Sequence, residues 1–292
     1  MESAKMNACL KLMRRMPPQS VEANLLKLSQ LNPSLTEELY QRIDQPLQIA
    51  MDPKDGRPYL LCDYNRDGDS YRSPWSNEYY PEVSYIDELF YPSERIRTLE
   101  KQANELFDVY RELYYQGGVS SAYLWDIGKG LAACVVFKKD ITQHRYLTGG
   151  SWNSIHIIQV QEENVGSNSS SDNTKSRTAS YQLTTSILLA MNINRPALGD
   201  LHLNGSLTRQ CERKLEYQDS FSHLGNIGRM IEDLENDMRS SLDTLYISKT
   251  KEVVHSMRQV QQHETGAAGQ NAFVGELASA VKQHRQTPSQ AS

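Results

Sequence analysis

The side chains best suited to chemistry lie in one block, Asp63-Tyr-Asn65-Arg-Asp67-Gly68-Asp69. Oxygen donors at alternate positions ahead of a glycine match the opening of a calcium-binding EF-hand loop, in which those carboxylates and amides ligate the ion. The match ends where calcium needs it most. The twelfth position, which must supply a bidentate glutamate, is Pro74, and the eighth, normally apolar, is Ser70. The block therefore reads as a polar turn network in which three aspartates compensate Arg66 and Arg72 and accept backbone N–H groups, with a calcium-binding scaffold as the rival. No other constellation supports catalysis. The chain has no G-x-S-x-G, P-loop, G-x-G-x-x-G or H-E-x-x-H motif. His156, within Ile155-His-Ile-Ile158, reads as a packed strand residue, and His144, His202 and His223 fall near turns without metal-ligand spacing. Cys9, Cys62, Cys134 and Cys211 form no C-x-x-C pair, the pattern of reduced, mostly structural thiols. The expectation is a protein with no catalytic residues, no metal and no cofactor.

The elements that would carry these residues change character along the chain. Residues 1–50 read as a helical segment: Leu10, Met13, Val21, Leu25, Leu26, Leu28 and Leu31 recur at helical spacing, Pro17 and Pro18 interrupt them, and Ser34-Leu-Thr-Glu37 is a capping box opening a third helix. Residues 51–116 begin with turn chemistry at Asp55-Gly56, Asp67-Gly68, Ser73-Pro74 and Tyr80-Pro81. They end in a helix capped by Ser93, with Ile96, Leu99, Ala103, Leu106, Tyr110 and Leu113 on its apolar face. Residues 117–215 carry five strands, Ser120–Ile127, Gly130–Lys138, Trp152–Val160, Ser180–Leu189 and Leu201–Leu207, which imply an antiparallel meander. The polar stretch Glu163–Ser176 is a long mobile hairpin loop between two of them. Residues 216–262 hold the strongest helical signal, an apolar stripe from Ile227 to Val260 broken at Lys249, with Glu232, Asp233, Glu235 and Asp237 in the half the helix dipole favours for acids. Residues 263–292 comprise a flexible joint, Gly266–Gly269, and a detached amphipathic stripe of Phe273, Leu277 and Val281 suited to insertion in a partner's groove.

Composition bounds the class. In 292 residues, 31 Lys+Arg face 36 Asp+Glu, giving a formal charge of −5, and 38% of residues are apolar. Replacing Tyr by Gly in that tally leaves it unchanged, below the roughly 45–50% of an ordinary globular domain. No apolar run reaches the roughly 20 residues of a membrane span, and mild acidity with mixed signs argues against a nucleic-acid partner. Met1–Met16 lacks the apolar core of a secretory signal, which makes the cytoplasm the default location. The apolar shortfall points to an elongated shape, to solvated tails or to a core completed by a partner.

The block Cys62-Asp-Tyr-Asn-Arg-Asp67-Gly-Asp-Ser-Tyr-Arg-Ser-Pro-Trp75-Ser-Asn77 resembles the signature of the beta subunit of F-actin-capping protein. So do, in order, Met13-Arg-Arg15, Asp44-Gln-Pro-Leu47, Gly117-Gly-Val-Ser-Ser-Ala-Tyr-Leu-Trp-Asp126, Trp152-Asn-Ser-Ile-His156, Gly205-Ser-Leu-Thr-Arg-Gln210 and Asn226-Ile-Gly-Arg229. The resemblance implies an α+β protomer: an N-terminal three-helix stalk, a central antiparallel five-stranded sheet, one long C-terminal helix across it, and a mobile tail. It implies an obligate heterodimer with a homologous alpha subunit, joined sheet to sheet about a pseudo-twofold, which binds the barbed end of actin filaments without calcium or nucleotide. It further implies a cytoplasmic, cytoskeletal location. Carried onto this chain, the tail stripe Phe273, Leu277 and Val281 would be the actin-binding "tentacle" and Arg239 a contact to acidic actin surface. Arg15 and Tyr79 would fall where peptide regulators meet the stalk. A neighbouring expectation is a capping role on an actin-related filament in a dynactin-like assembly.

Overall fold

The computed structural model describes residues 2–13, 16, 20–43, 45–83, 89–142, 147–163, 177–195 and 199–244. The chain divides into two compact units, Met1–Glu235 and Asn236–Ser292; of the second, only residues 236–244 are described. The loop Glu163–Ser176 beyond its first residue, the joint, the tail stripe and the helical stripe beyond Thr244 lie outside the described residues.

Three short helices open the chain, α1 (Glu2–Met13), α2 (Val21–Leu31) and α3 (Thr36–Arg42). Met6, Cys9, Met13, Val21, Leu25, Leu28, Leu35 and Leu39 close into one buried cluster, which supplies the tertiary burial that helices of this length require. Leu26, which falls off the three-four spacing of that face, and Leu31, the last residue of α2, remain exposed. The expected capping box does not form. Pro33 starts a 3-10 turn, Pro33–Leu35, which places Leu35 at the N-cap of α3 with no side-chain cap bond.

Next come β1 (Gln48–Met51) and β2 (Pro58–Leu61), a hairpin, then β3 (Arg66–Asp67), β4 (Ser70–Arg72) and β5 (Tyr79–Tyr80), a small antiparallel sheet. Gly68, with φ +56°, makes the β3–β4 turn in a backbone region that penalises any Cβ. Helix α4 (Glu94–Tyr114) follows, and Ser93 caps it by accepting from the Ile96 N–H, as its sequence predicts.

The centre is an antiparallel meander in the spatial order β10-β9-β8-β7-β6, formed by β6 (Val119–Asp126), β7 (Gly130–Ile141), β8 (Leu147–Glu162), β9 (Arg177–Arg195) and β10 (Gly199–Tyr217). The five expected strands are all present; β6 keeps its expected length and the other four are longer, most of all β10, which continues from Leu207 to Tyr217. Its charged residues Arg209, Glu212, Arg213, Lys214 and Glu216 are exposed at the sheet's margin, so polarity is no obstacle, and the ladder with β9 runs without a break from Gly199↔Arg195 to Tyr217↔Arg177. Along β7 alternate residues feed two cores. Ala133, Val135 and Phe137 face α4 and helix α5 (Ser220–Asp243), whereas Cys134 and Val136 meet Leu47 and Leu60 from the β1–β2 side. At Gly130 a Cβ would come within 1.9 Å of the Val160 carbonyl oxygen, a position only glycine fits.

Helix α5 starts before Gly225 because Asp219 accepts the Ser222 N–H at 2.8 Å and so caps it. The acidic run therefore lies beyond the first turn, where the helix dipole no longer favours it, and binds side chains instead. Glu232 accepts from the Tyr114 hydroxyl, Asp233 pairs with Arg213 at 2.7 Å, and Glu235 is buried in the interface between helix and sheet.

Two buried carboxylates hold these layers together. Glu100 of α4, wholly buried, accepts Nη1 and Nη2 of Arg72 at 2.8 and 2.7 Å, Nη1 of Arg97, and the Leu124 N–H of β6 at 2.8 Å. One turn later Asn104 bridges the N–H and C=O of Ala122 at 2.9 and 2.8 Å. Glu235 accepts from the Tyr115 hydroxyl and from that of Tyr110 at 2.7 Å, and its Oε1 lies 3.2 Å from His156 Nε2, close but not aligned as a hydrogen bond. Burial pushes the Glu235 carboxyl up, but His156, Tyr115 and Tyr110 together outweigh it and hold the group at about 2.

Two measurements of unfolding free energy test these clamps. Arg72→Met and Glu100→Gln should each cost about 3–5 kcal/mol in denaturant titrations, because each leaves buried polar groups without partners; a cost under about 1 kcal/mol would show that the network contributes little. For Glu235 the unfolded carboxyl, near its ordinary 4.5, takes up its proton before the folded one at about 2. Its contribution, about 3 kcal/mol, is thus complete above pH 4.5 and lost as pH falls towards 2. Wild type should lose about that much more stability across this interval than Glu235→Gln, and parallel pH curves would disprove the coupling.

Candidate functional site

Of the six residues the sequence singles out, Tyr79 and Arg239 are described, and Arg15, Phe273, Leu277 and Val281 are not. Tyr79 sits on β5 with its side chain buried. Its hydroxyl donates to the Phe90 carbonyl at 2.8 Å and its ring meets Tyr91 edge-on at 5.7 Å, while Phe90 and Tyr91 themselves face water. Arg239 is half-buried on α5 within the second unit.

The calcium-like block is built around Asn65. Its Oδ1 accepts the Cys62 N–H at 2.9 Å and its Nδ2 donates to the Arg72 carbonyl at 2.9 Å, so the amide that would ligate an ion is buried and already bonded. Asp63 and Asp69 project into water, and Arg66 binds the Gly68 carbonyl at 2.7 Å. Two details of the sequence reading change. Arg72 is compensated by Glu100 and not by the aspartates of the block, and the aspartate that organises the turns is Asp52, twenty residues upstream of Arg72. Buried Asp52 accepts the Lys54 N–H at 2.7 Å, the Asp55 N–H at 3.0 Å, the Ser76 N–H at 3.1 Å and the Ser73 hydroxyl. Burial works against its charge, but these donors hold its carboxyl below the usual range. Among the described residues, no group of three or more His, Cys, Asp or Glu is placed to hold a metal ion.

One further arrangement has the outline of a catalytic triad. Thr185 Oγ1 lies 2.9 Å from His156 Nδ1, and His156 Nε2 faces Glu235. All three side chains are 0% exposed between sheet and helix, so no substrate carbonyl reaches the hydroxyl, and the chain of contacts serves to pin α5.

The geometry that can do something is an open sheet edge. At β6, on the side away from β7, Asn104 binds the Ala122 N–H and C=O, Glu100 accepts the Leu124 N–H, and the Ser121 hydroxyl accepts the Leu60 N–H of neighbouring β2 at 2.9 Å. At β10 no further strand lies beyond the edge among the described residues, over a length of 19 residues. Sequence reasoning missed this surface because it stopped the strand at Leu207. The available signal was the alternation of Leu207, Cys211 and Leu215, which are half-buried, with charged residues.

A family model for "F-actin capping protein, beta subunit" matches residues 6–254. The F-actin-capping protein subunit beta of Drosophila melanogaster is 47% identical over 261 residues, covering 89% of this chain and 90% of that protein. The Dictyostelium discoideum protein of the same name is 45% identical over 262 residues, covering 88% and 90%, and that of Caenorhabditis elegans 43% over 282 residues, covering 96% and 98%. Among solved structures, the homodimeric actin capping protein alpha subunit of Plasmodium berghei superposes with a TM-score of 0.50 at 12% identity, covering 89% of this chain and 98% of that one, a likeness of fold alone. No helix of the described residues is long and apolar enough to cross a membrane. With a match that spans most of the chain and relatives well above 40% identity over nearly their full length, the chain belongs to the F-actin capping protein beta subunit family.

Proposed function

We propose that this chain is the beta subunit of a heterodimeric actin-capping protein, a non-enzymatic partner that blocks addition and loss of subunits at filament barbed ends without calcium. The observation that carries the reading is the asymmetry of the sheet: one edge is sealed by α4 side chains, the other extends for 19 residues along β10. A long exposed edge is a liability that folded proteins normally blunt, and pairing with a homologous sheet removes it. A shared core also accounts for the apolar shortfall, since obligate interfaces bury on the order of 2,000–5,000 Å². The N-terminal helices serve as the stalk, and Arg15, together with Tyr79 on β5, marks the region of peptide regulators. The tail stripe Phe273, Leu277 and Val281 is the segment that docks on a terminal actin subunit, assisted by Arg239. Such a protein works in the cytoplasm, in the actin cytoskeleton.

Co-expression with an alpha subunit should give a soluble complex that suppresses elongation of pyrene-actin from preformed filament ends, at the same concentration with and without calcium. Loss of capping in chelator, together with a calcium-binding heat abolished by Asp67→Ala, would replace this reading by the calcium scaffold. Truncation before Asn271 should leave the complex folded and raise its off-rate from single filaments by about tenfold or more, since buried apolar contacts govern residence time. Arg239→Glu should slow association and flatten its dependence on salt, as expected for a charge that steers encounter. An unchanged off-rate or on-rate, respectively, would remove that segment or residue from the contact.

A further inference from the structure

We propose that Cys62 and Cys134 form an oxidisable dithiol, a peroxide-reactive modification site that locks β2 to the central strand β7. The two sulfurs lie 4.0 Å apart although the residues are 72 positions apart in sequence. Neighbouring contacts hold them there: Tyr123 Oη donates to the Leu60 carbonyl at 2.6 Å, and the Leu60 N–H binds Ser121 Oγ at 2.9 Å, so the strand that leads into Cys62 is fixed against β6. The pair is asymmetric in the way a peroxide-reactive dithiol requires. Cys134 is wholly buried between Tyr123 and Ile157 in the sheet register, whereas Cys62 is half-exposed and lines an open cavity with Pro46, Leu61, Tyr64 and Arg66. Cys62 Sγ also receives the Asn65 N–H. Cys9 belongs to the helical cluster and Cys211 to β10, and neither takes part.

The chemistry closes with a hydroperoxide as oxidant. The Cys62 thiolate attacks one peroxide oxygen, the O–O bond breaks, and the departing hydroxide or alkoxide takes up a proton, leaving Cys62 sulfenic acid. The Cys134 sulfur then attacks the Cys62 sulfur. The S–O bond breaks, and the hydroxide leaves as water with the proton from the Cys134 thiol. Two thiols lose two electrons and one peroxide gains them. The sulfurs must approach by about 2 Å to reach a disulfide bond length of about 2.05 Å, a side-chain rotation that takes Cys62 Sγ away from the Asn65 N–H.

The test uses the full-length chain in the assembly in which it purifies, reduced, freed of reductant and exposed to stoichiometric hydrogen peroxide. Peptide mapping without reductant should show a Cys62–Cys134 crosslink that dithiothreitol reverses. The oxidised protein should unfold at a midpoint about 5 °C or more above the reduced one, since the bridge closes a long loop. Cys134→Ala should instead accumulate a sulfenic acid at Cys62, trapped by dimedone. Overturning results would be oxidation of Cys62 to sulfinic acid without a crosslink, reaction at Cys9 or Cys211 ahead of Cys62, or equal unfolding midpoints. The mapping and the midpoints need only the wild-type chain, so they decide the matter even if Cys134→Ala does not fold.

Discussion

A carboxylate removed from water has to recover its lost hydration from donors fixed by the fold, and at Glu100 those donors come from three separate segments. Arg72 arrives from the small sheet, Arg97 from the preceding turn of α4, and the Leu124 N–H from β6. The two guanidiniums carry one charge more than Glu100 offsets, and the excess is spread over carbonyls and an amide: Arg97 binds the Pro74 and Trp75 carbonyls at 2.7 Å, and Arg72 binds Asn77 Oδ1 at 2.7 Å. Asn65, Arg72 and Asn77, which look available for ligand chemistry, are bound into this arrangement. These residues of the block join the turn-rich region to the sheet, and their polarity is spent within the protein.

A second carboxylate repeats the logic on the same face. Glu235 ties α5 to Tyr110 and Tyr115 at the end of α4 and to His156 on β8, so that both helices are registered on the sheet by polar contacts within an otherwise apolar interface. Apolar burial supplies most of the stabilisation between these layers, yet it is indifferent to small shifts, whereas a buried carboxylate tolerates only the geometry that satisfies it. The two clamps thus fix where the helices lie, and with them which strand edge is covered.

That choice of edge is what gives the fold its functional asymmetry. Asn104 and Glu100 occupy the outward backbone groups of β6, while charged side chains along β10 keep the opposite edge in water without closing it. Among the described residues, the sheet is thus open along β10 and closed along β6.

The sequence by itself determined the element types. Helical spacing from Ile96 to Tyr110, the Ser93 cap, the five alternating strands and the motif blocks depend on local periodicity or on residue identity, and local backbone geometry enforces both. The family was legible for the same reason, since a run such as Cys62–Asn77 is read residue by residue. Strand ends, the start of α5 and the partners of the buried charges were not legible. Strand β10 continues through charged residues because β9 is there to pair with it, and Glu100 and Glu235 look like ordinary surface glutamates until Arg72, Arg97 and His156 arrive from 3 to 79 residues away. Tertiary structure alone decided these points. The energy of a buried charge depends on which donors surround it, and those donors come from elements that only packing brings together.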